Sequence, residues 1–395
     1  MRESPLFAAL FLIGCTTAAV DSPPPPASPP PLITLALEDH PLVDAAVEGV
    51  IDEDSLPGVV VGIAQGSEII YLRGFGYQDL EAQVPVDPSA TLFRWASLSK
   101  GVAGVIAVQG LRSNAVSLEA DVGTTVPGYT VPDRYLPEGC QASACIETLP
   151  EAQRSITLKQ LLTHTGAIQH YSNGLAYPVP PPSETDDPYT NTGIAWAIDY
   201  FKDAPLVGVP GGQYSYSTFG YNLAGVVLEN QLGMSFGAAV DASISQPLGM
   251  STMSADFQWV DLPRRAVGYV RDGNSISRDG DNDVSWKLPG GGFVSSGEDL
   301  TRYCAGLLGD DLIDTDTRDA VLWATGTPNE DYGLGFGVGT SGGERLISHT
   351  GAQQKTRTAL MILPDSDLCF TVMTNATWAA PGELVRGVAN AFLSE

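Results

Sequence analysis

Residues 97 to 111 join a polar tetrapeptide to an apolar helical run, and this segment constrains the fold more than any other. Ser97-Leu98-Ser99-Lys100 opens it, and the run that follows is apolar on nearly every side, with Val102, Ala103, Val105, Ile106, Val108 and Leu111. A helix that is apolar all round is a buried helix, so the rest of the chain has to enclose it. Ser97 and Lys100 are three residues apart and therefore lie on one face of its first turn.

The pairing of this serine and this lysine suits nucleophilic catalysis. A serine hydroxyl is a weak nucleophile at neutral pH, and a neighbouring amine that is partly desolvated takes or relays its proton. The N-terminus of the helix adds free backbone N–H groups, and that of Ser97 is a candidate donor to the oxyanion of acyl transfer. The alternative reading is a partly exposed helix start with a solvated lysine, because a bare Ser-x-x-Lys is a weak motif.

Further motifs accompany the Ser-x-x-Lys element in a fixed order along the chain. They occupy residues 57–61, 74–77, 91–97, 161–166, 210–211, 216–221, 247–250, 291–296, 332–337 and 349–351. In this order they resemble the penicillin-recognising serine hydrolases, which include class C β-lactamases, D-Ala-D-Ala carboxypeptidases, D-aminopeptidases, related esterases and the mitochondrial serine β-lactamase-like protein. The resemblance implies that Ser97 is the nucleophile and Lys100 its activator.

The second element that the resemblance supplies begins at Tyr216. This tyrosine stands where the family has the tyrosine of its Tyr-x-Asn element, which implies a role as proton shuttle. A free tyrosine titrates near pH ~10, so it acts as a base only if cations such as Lys100 stabilise the phenolate. Thr218 replaces the family's usual asparagine, and the resemblance assigns that position to the substrate's acyl side chain. The replacement argues against antibiotic recognition.

The third element of the family usually reads Lys-Thr-Gly on a strand, and the candidate here is His349-Thr350-Gly351. The resemblance implies that the backbone N–H of Ala352 is the second oxyanion donor. A histidine in place of lysine keeps a hydrogen-bond donor, and we expect its charge to depend on pH near neutrality. His-Thr-Gly also occurs at 164–166, where Gly166 is predicted to end a helix and His164 to be structural.

Two other motifs are set aside, and no metal or cofactor is predicted. Residues 339–343 fit the Gly-x-Ser-x-Gly nucleophile elbow, but an elbow needs a helix after the turn. A strand is predicted there instead, so a glycine-rich hairpin turn is the better account. The acidic run 279–283 departs from the calcium-loop pattern at positions six and twelve. Four scattered histidines without paired metal-spaced cysteines indicate no zinc site.

Composition indicates a globular enzyme-sized protein and excludes some partners. With 395 residues, of which 43% are hydrophobic and 17% charged, the chain is long enough to bury a substantial core. The formal net charge of −26 disfavours nucleic acid and anionic membrane surfaces, because both would repel it. The expected partner is a small-molecule or peptide substrate with an amide or ester bond.

The N-terminal residues predict export and anchoring in a bacterial cell envelope. Residues 1–14 suit a signal peptide, because their apolar run is too short to span a bilayer. Residues 12–15 resemble the bacterial lipobox, which implies that Cys15 is lipidated and holds the protein at the outer membrane or its periplasmic side. The alternative is cleavage after Ala19 to give a soluble exported protein. Residues 15–34 are rich in proline and predict a semi-rigid tether.

Export permits disulfides, and the cysteines after the tether are assigned accordingly. Cys140 and Cys145 are close enough in sequence to close a small loop through a disulfide. Cys304 and Cys369 lie in apolar segments, where a buried free thiol is at least as well supported as a bridge.

The order of predicted elements gives an α/β fold of the α+β type. We expect a helix at 42–51, a hairpin at 59–64 and 69–72, strands returning only at 345–348, 358–363 and 368–373, and a helix at 383–393. This order predicts an antiparallel sheet flanked by N- and C-terminal helices, with an inserted mainly helical domain, as in the β-lactamase/transpeptidase-like fold. The sheet domain would comprise 35–90 plus 286–395, and the helical domain 91–285.

The sequence therefore predicts an exported serine acyl hydrolase that works through an acyl-enzyme. A peptidase or an esterase is favoured over a true β-lactamase, because Thr218 and His349 depart from the antibiotic-hydrolysing pattern. The alternative is a non-catalytic, membrane-anchored binding protein on the same scaffold.

Overall fold

An eight-stranded sheet forms the centre of the part of the chain that the structure describes. The structure is a computed structural model that describes residues 33–140, 145–171 and 194–395, so the predicted signal peptide, Cys15 and the proline-rich run lie outside the described residues. In chain order the strands are β1 (Thr34–Leu35), β2 (Gly58–Gln65), β3 (Glu68–Asp79), β4 (Val84–Pro85), β5 (Phe93–Arg94), β6 (Arg134–Tyr135), β7 (Glu147–Thr148), β8 (Ser254–Ala255), β9 (Tyr269–Asp272), β10 (Ser275–Arg278), β11 (Phe293–Ser295), β12 (Gly337–Ser341), β13 (Glu344–Gln353), β14 (Thr356–Leu363) and β15 (Leu368–Thr374).

Helices cover both faces of this sheet and fill the middle of the chain. In chain order they are α1 (Pro41–Asp54), α2 (Ser99–Arg112), α3 (Val122–Thr125), α4 (Leu158–Leu162), α5 (Thr218–Leu232), α6 (Phe236–Val240), α7 (Gln246–Leu248), α8 (Leu288–Gly291), α9 (Gly297–Gly306), α10 (Thr315–Thr317) and α11 (Pro381–Phe392). The predicted elements are confirmed: the terminal helices, the hairpin of β2 and β3, and the three late strands. Each lies within a few residues of its expected bounds except β3 and β13, which extend to Asp79 and Gln353. The result is a mixed α/β fold.

The central sheet is antiparallel apart from its first pair. Its order is β1-β3-β2-β15-β14-β13-β12, with β4 paired to the end of β3, and β1 runs parallel to β3. The apolar run of β2 explains its central place, because a strand without alternation is buried on both faces. Val59, Val61 and Ile63 pack with α1 and α11, whereas Val60 and Ala64 belong to the core on the opposite face.

The middle of the chain differs from the prediction in one respect. Short strands occur there, since β5, β8 and β11 form a three-stranded sheet and β9 pairs with β10. The expectation that strands return only near residue 345 is therefore wrong. These strands have two to four residues, which is too short for a period-two pattern to appear in the sequence.

The glycine-rich segment at 339–343 forms a hairpin, as expected. Strands β12 and β13 pair antiparallel with Ser341 opposite Glu344. The two turn residues, Gly342 and Gly343, have φ angles of 61° and 92°, a conformation that glycine adopts without strain. No helix follows the turn, so the nucleophile-elbow motif is rejected.

Helix α2 is enclosed by the rest of the protein, as its apolar sequence predicts. Its residues from Ser99 to Val108 are all buried. Segment 332–337 lies against its glycines: an added Cβ on Gly101 would come within 2.5 Å of Phe336, and one on Gly104 within 1.9 Å of the Leu334 carbonyl oxygen. The glycines of α2 therefore allow backbone contact that larger residues would prevent.

Both cysteine pairs among the described residues are joined by disulfides. Cys140 is bonded to Cys145, and Cys304 in α9 is bonded to Cys369 in β15. The second bond settles the choice that the sequence left open between a bridge and a free thiol. It joins a helix to the central sheet across the core.

The described residues all fall within one compact unit. The division into a sheet domain and a helical domain at 91 and 285 stays a prediction. Within the described ranges, no single helix is long and apolar enough to cross a bilayer, and one bent pair, Thr218–Leu232 with Phe236–Leu248, meets that test by length and composition only.

Substitution of Gly104 tests the close approach between α2 and segment 332–337. We expect Gly104→Ala to lower the free energy of unfolding by about 2 kcal/mol or more, because the new methyl group meets backbone that cannot move aside. Gly49→Ala is the matched control: this glycine lies on the exposed side of α1 with open space around it, so alanine should raise the free energy by roughly 0.5–1 kcal/mol. Urea unfolding measures both, and equal effects of the two changes would contradict the packing described.

Candidate active site

Ser97 lies in a tight turn between β5 and α2. The turn is a 3₁₀ segment, Ala96–Leu98, and Ala96 has a φ of 48°, which is unusual for a residue with a side chain. Between Thr91 and Lys100, Ser97 is the residue that is not fully buried. The strained backbone thus presents one hydroxyl at the surface of an otherwise buried segment, and such strain is common at functional sites.

Strand β13 lies directly against this turn. An added Cβ on Gly351 would come within 2.6 Å of the Trp95 carbonyl oxygen and 3.0 Å of the Ala96 Cβ. In the adjacent strand, the Thr358 hydroxyl donates to the same Trp95 carbonyl at 2.9 Å. Only glycine fits at 351, and its contact brings the next residue, Ala352, beside the turn that carries Ser97. Thr350 and Ala352 are both exposed on this strand.

Lys100 is completely buried one helical turn from Ser97. Its Nζ atom lies 3.1 Å from Ser97 Oγ, 3.3 Å from Thr218 Oγ1 and 2.7 Å from the Gly290 carbonyl oxygen. Burial lowers the pKa of Lys100 well below its usual value, and the nearby charge of Lys287 lowers it further. Burial therefore favours the neutral amine over the ammonium form.

Tyr216 contacts the same hydroxyl from the other side. Its phenol donates to Ser97 Oγ at 2.7 Å, and the Lys100 Nζ atom lies 4.7 Å from the centre of its ring. Burial raises the pKa of Tyr216 above its usual value, so the phenol keeps its proton. Burial disfavours both the Tyr216 phenolate and the Lys100 cation that would stabilise it, which argues against Tyr216 as a phenolate base.

His164 holds Tyr216 in place. Its carbonyl oxygen accepts from the Ser215 N–H at 2.7 Å, its Nδ1 accepts from the Ser217 N–H at 3.1 Å, and its ring centre lies 4.3 Å from that of Tyr216. His164 is buried, in accord with the structural role expected of it. The expectation that Gly166 ends the helix is wrong: α4 ends at Leu162, and His164 itself takes the left-handed conformation with a φ of 59°.

Thr218 begins helix α5 and faces Lys100. The Ser217 side chain caps the helix by accepting from the Gly220 N–H at 2.9 Å, while the Thr218 N–H donates to His170 Nδ1 at 3.3 Å. Thr218 is buried, and its hydroxyl reaches the Lys100 amine. In this structure Thr218 therefore contacts the Lys100 amine.

His349 lies in β13, but its charge does not respond to pH near neutrality as expected. Its Nδ1 lies 2.7 Å from the Thr350 carbonyl oxygen, which only accepts, so Nδ1 carries the hydrogen. Nε2 then accepts from the Tyr332 hydroxyl at 2.9 Å. Burial lowers the pKa of His349 to about 4, so the ring is neutral at pH 7 and the prediction of a switch near neutrality is wrong.

The structure adds residues that sequence reasoning missed. Lys287, His170, Tyr332 and the Gly290 carbonyl all surround the Ser97–Lys100–Tyr216 cluster. Tyr332 opens the ordered motif 332–337, which assigns it no role, and the other three residues belong to no spaced motif. Lys287 is marked in the sequence only as a polar side chain within an apolar stretch, Ser285-Trp286-Lys287-Leu288. Within the described ranges, no group of three or more histidines, cysteines or carboxylates is placed to hold a metal ion.

Curated proteins of several activities are similar to this chain in sequence. Esterase EstB of Burkholderia gladioli is 27% identical over 74% of this chain and 78% of its own length. The mouse mitochondrial serine beta-lactamase-like protein LACTB is 24% identical over 80% of this chain and 70% of its own length. Protein flp of Staphylococcus aureus strain MRSA252 is 22% identical over 86% of this chain, and the match spans only 64% of flp.

Solved structures share the fold at low sequence identity. The octameric penicillin-binding protein homologue from Pyrococcus abyssi has a TM-score of 0.70 and 20% identity, covering 90% of this chain and 78% of that one. A D-stereospecific amidohydrolase from Streptomyces has a TM-score of 0.65 and 20% identity, covering 88% and 98%. The family model described as beta-lactamase matches residues 43–391. The chain belongs to the beta-lactamase family of serine hydrolases.

Proposed function

We propose that the protein is an acyl hydrolase that works through an acyl-enzyme on Ser97. One observation carries this proposal: Ser97 Oγ lies within hydrogen-bonding distance of both the Lys100 amine and the Tyr216 phenol, at 3.1 and 2.7 Å. A nucleophile, a base and an acid thus meet at one partly exposed atom.

The hydrogen bonds of Lys100 suit a neutral amine. Such an amine has two N–H donors and one lone pair, and the Gly290 carbonyl and the Thr218 hydroxyl are within reach of the two donors. The lone pair is then available to the Ser97 hydroxyl. Ser97 Oγ bonds to the substrate's carbonyl carbon as its proton moves to Lys100 Nζ.

Collapse of the intermediate requires an acid, and Tyr216 is placed to supply it. Its phenol gives a proton to the leaving oxygen or nitrogen as the bond to the acyl carbon breaks, and the proton held by Lys100 restores the phenol. The backbone N–H groups of Ser97 and Ala352 are the proposed oxyanion donors. Water then attacks the acyl carbon by the reverse path and frees Ser97.

The substrate proposed is an ester or an amide rather than a β-lactam. Thr218 contacts the catalytic amine where the family's usual asparagine is assigned to the acyl side chain, and His349 is a neutral ring where the usual element has a lysine. The similarity to esterase EstB and to the D-stereospecific amidohydrolase supports the same substrate classes.

A covalent probe tests the nucleophile. We expect a fluorophosphonate to add one adduct to the wild-type protein and none to Ser97→Ala, as read by intact mass. Ser99→Ala is the matched control: Ser99 is a buried serine two residues further on, and its removal should leave labelling intact. Labelling of Ser97→Ala at the wild-type rate would contradict the assignment.

A parallel incubation with penicillin distinguishes a β-lactamase, a peptidase and a non-catalytic binding protein. Turnover without a lasting adduct would contradict the preference for esters and amides and indicate a β-lactamase. A stable adduct on Ser97 would favour a peptidase acting on peptidoglycan. Failure of both reagents to label the wild type, while control hydrolases react, would support the non-catalytic binding protein instead.

We also propose that the protein is exported and anchored by a lipid on Cys15. The lipobox-like residues 12–15 support this, and so do the disulfides Cys140–Cys145 and Cys304–Cys369, because such bonds persist in oxidising compartments.

Mass spectrometry of the mature N-terminus after expression in a Gram-negative host tests the anchor. We expect the wild-type protein to begin at a lipid-modified Cys15 and to partition into the detergent-rich phase on detergent phase separation, whereas Cys15→Ser should carry no lipid and stay in the aqueous phase. A wild-type N-terminus at Val20 would instead show cleavage after Ala19 and contradict the anchor.

A further inference from the structure

Two of the chain's five lysines are buried close together beside Ser97. Lys100 is 0% exposed and Lys287 is 3% exposed. Burying an ammonium group costs free energy. The chain has 46 acidic residues, and a lysine on the surface would offset their charge as well as one in the interior. The position of Lys287 therefore requires an explanation.

Both lysines approach the glycines at the end of α8. The Lys100 Nζ atom donates to the Gly290 carbonyl at 2.7 Å. A Cβ atom placed on Gly291 would lie 3.5 Å from Lys287 Cε and 3.6 Å from the Ala96 carbonyl carbon, so the Lys287 stem runs close to the turn that carries Ser97.

Aromatic rings surround the Lys287 ammonium group. Its Nζ atom lies 5.3 Å from the ring centre of Tyr171 and 5.6 Å from that of Trp286, distances at which an aromatic face stabilises a cation. These rings stabilise the ammonium form of Lys287 in the protein interior, where an isolated ammonium group would lose its proton.

We infer that Lys287 is a positioning residue for catalysis, whose ammonium charge holds the neighbouring Lys100 amine in the neutral form that activation of Ser97 requires. This inference rests on the proposed function. According to this inference, Lys287 supplies a buried positive charge beside the site. His349, which stands where the family has a lysine, is a neutral ring and does not supply that charge.

The direction of the effect follows from repulsion between like charges. Burial lowers the pKa of Lys287 to about 7, so it carries its charge below that pH. Burial and the charge of Lys287 both lower the pKa of Lys100. Removing Lys287 should therefore raise the pKa of Lys100. As the solution is acidified, Lys100 of the variant should then take up a proton, and stop accepting one from Ser97, at a higher pH than in the wild type.

Among the described residues, the histidines and tyrosines that face the two lysines have pKa values shifted away from this interval. Burial lowers the pKa of the surrounding histidines, to about 4 for His170 and His349 and well below the usual value for His164. Burial raises the pKa of the facing tyrosines, which are Tyr171, Tyr216, Tyr221 and Tyr332. Two further groups act on Lys287: the charge of Arg94 lowers its pKa and that of Asp283 raises it.

The rate of Ser97 modification by a fluorophosphonate, measured from pH 5 to 9, tests this inference. In Lys287→Met, we expect the acid limb of the rate profile to shift upward by about one pH unit, which is about a tenfold slower reaction on the limb. The two rates should converge above about pH 8, where Lys287 of the wild type has lost its proton. Lys287→Arg should restore the wild-type limb.

The possible outcomes distinguish a charge effect of Lys287 from a structural defect, and failure of this inference from failure of the proposed function. Lys202→Met removes one exposed lysine of equal charge and should leave the profile unchanged. Two results for Lys287→Met would overturn the inference while leaving the proposed function intact. One is an acid limb of the rate profile at the same pH as in the wild type, and the other is a rate lowered by the same factor at every pH. An unlabelled wild-type protein would overturn the proposed function itself.

NMR titration of lysine side chains labelled at Cε gives a second measurement if Lys287→Met folds poorly. With five lysines the signals can be assigned by substitution. A Lys100 signal in the wild type that shifts as Lys287 titrates near pH 7 supports the inference, and a Lys100 signal that does not respond to that titration contradicts it.

Discussion

The burial of the Lys100 amine is the constraint on which the rest of the site depends. Helix α2 is enclosed on all sides, and Lys100 in its first turn is paired with the Gly290 carbonyl and two hydroxyls, with no carboxylate among the described residues bonded to it. In such surroundings the neutral amine is favoured over the ammonium form. In the proposed mechanism this amine is the base that activates Ser97, so the packing that encloses the helix also prepares the chemistry.

Other residues of the site hold β13 and Tyr216 close to Ser97 and Lys100. Gly351 lets β13 approach the turn at Ala96, and His164 binds the backbone on both sides of Tyr216. Because His349 is neutral and hydrogen-bonded at both ring nitrogens, it does not replace the charge of a lysine. In our account Lys287, which comes from the segment before α8, provides that charge.

Much of this arrangement could be predicted from the sequence, and the failures have physical causes. The apolar runs of α2 and of strands β2, β14 and β15 are clear in the sequence, and so are the terminal helices. The ordered motifs pointed to Ser97, Lys100 and Tyr216, which the structure brings together. Strands of two to four residues leave no such pattern, so β5, β8 and β11 were missed. The neutral state of His349 and the place of Lys287 depend on burial by segments distant in the chain, which no local pattern records.

Trapping an intermediate tests the central claim most directly. The protein would be mixed with a chromogenic ester, quenched in acid within the first turnover and digested for mass spectrometry. The account predicts that the peptide containing Ser97 gains the mass of the acyl group. Release of product with the acyl group on another residue, or release by Ser97→Ala at the wild-type rate, would contradict it.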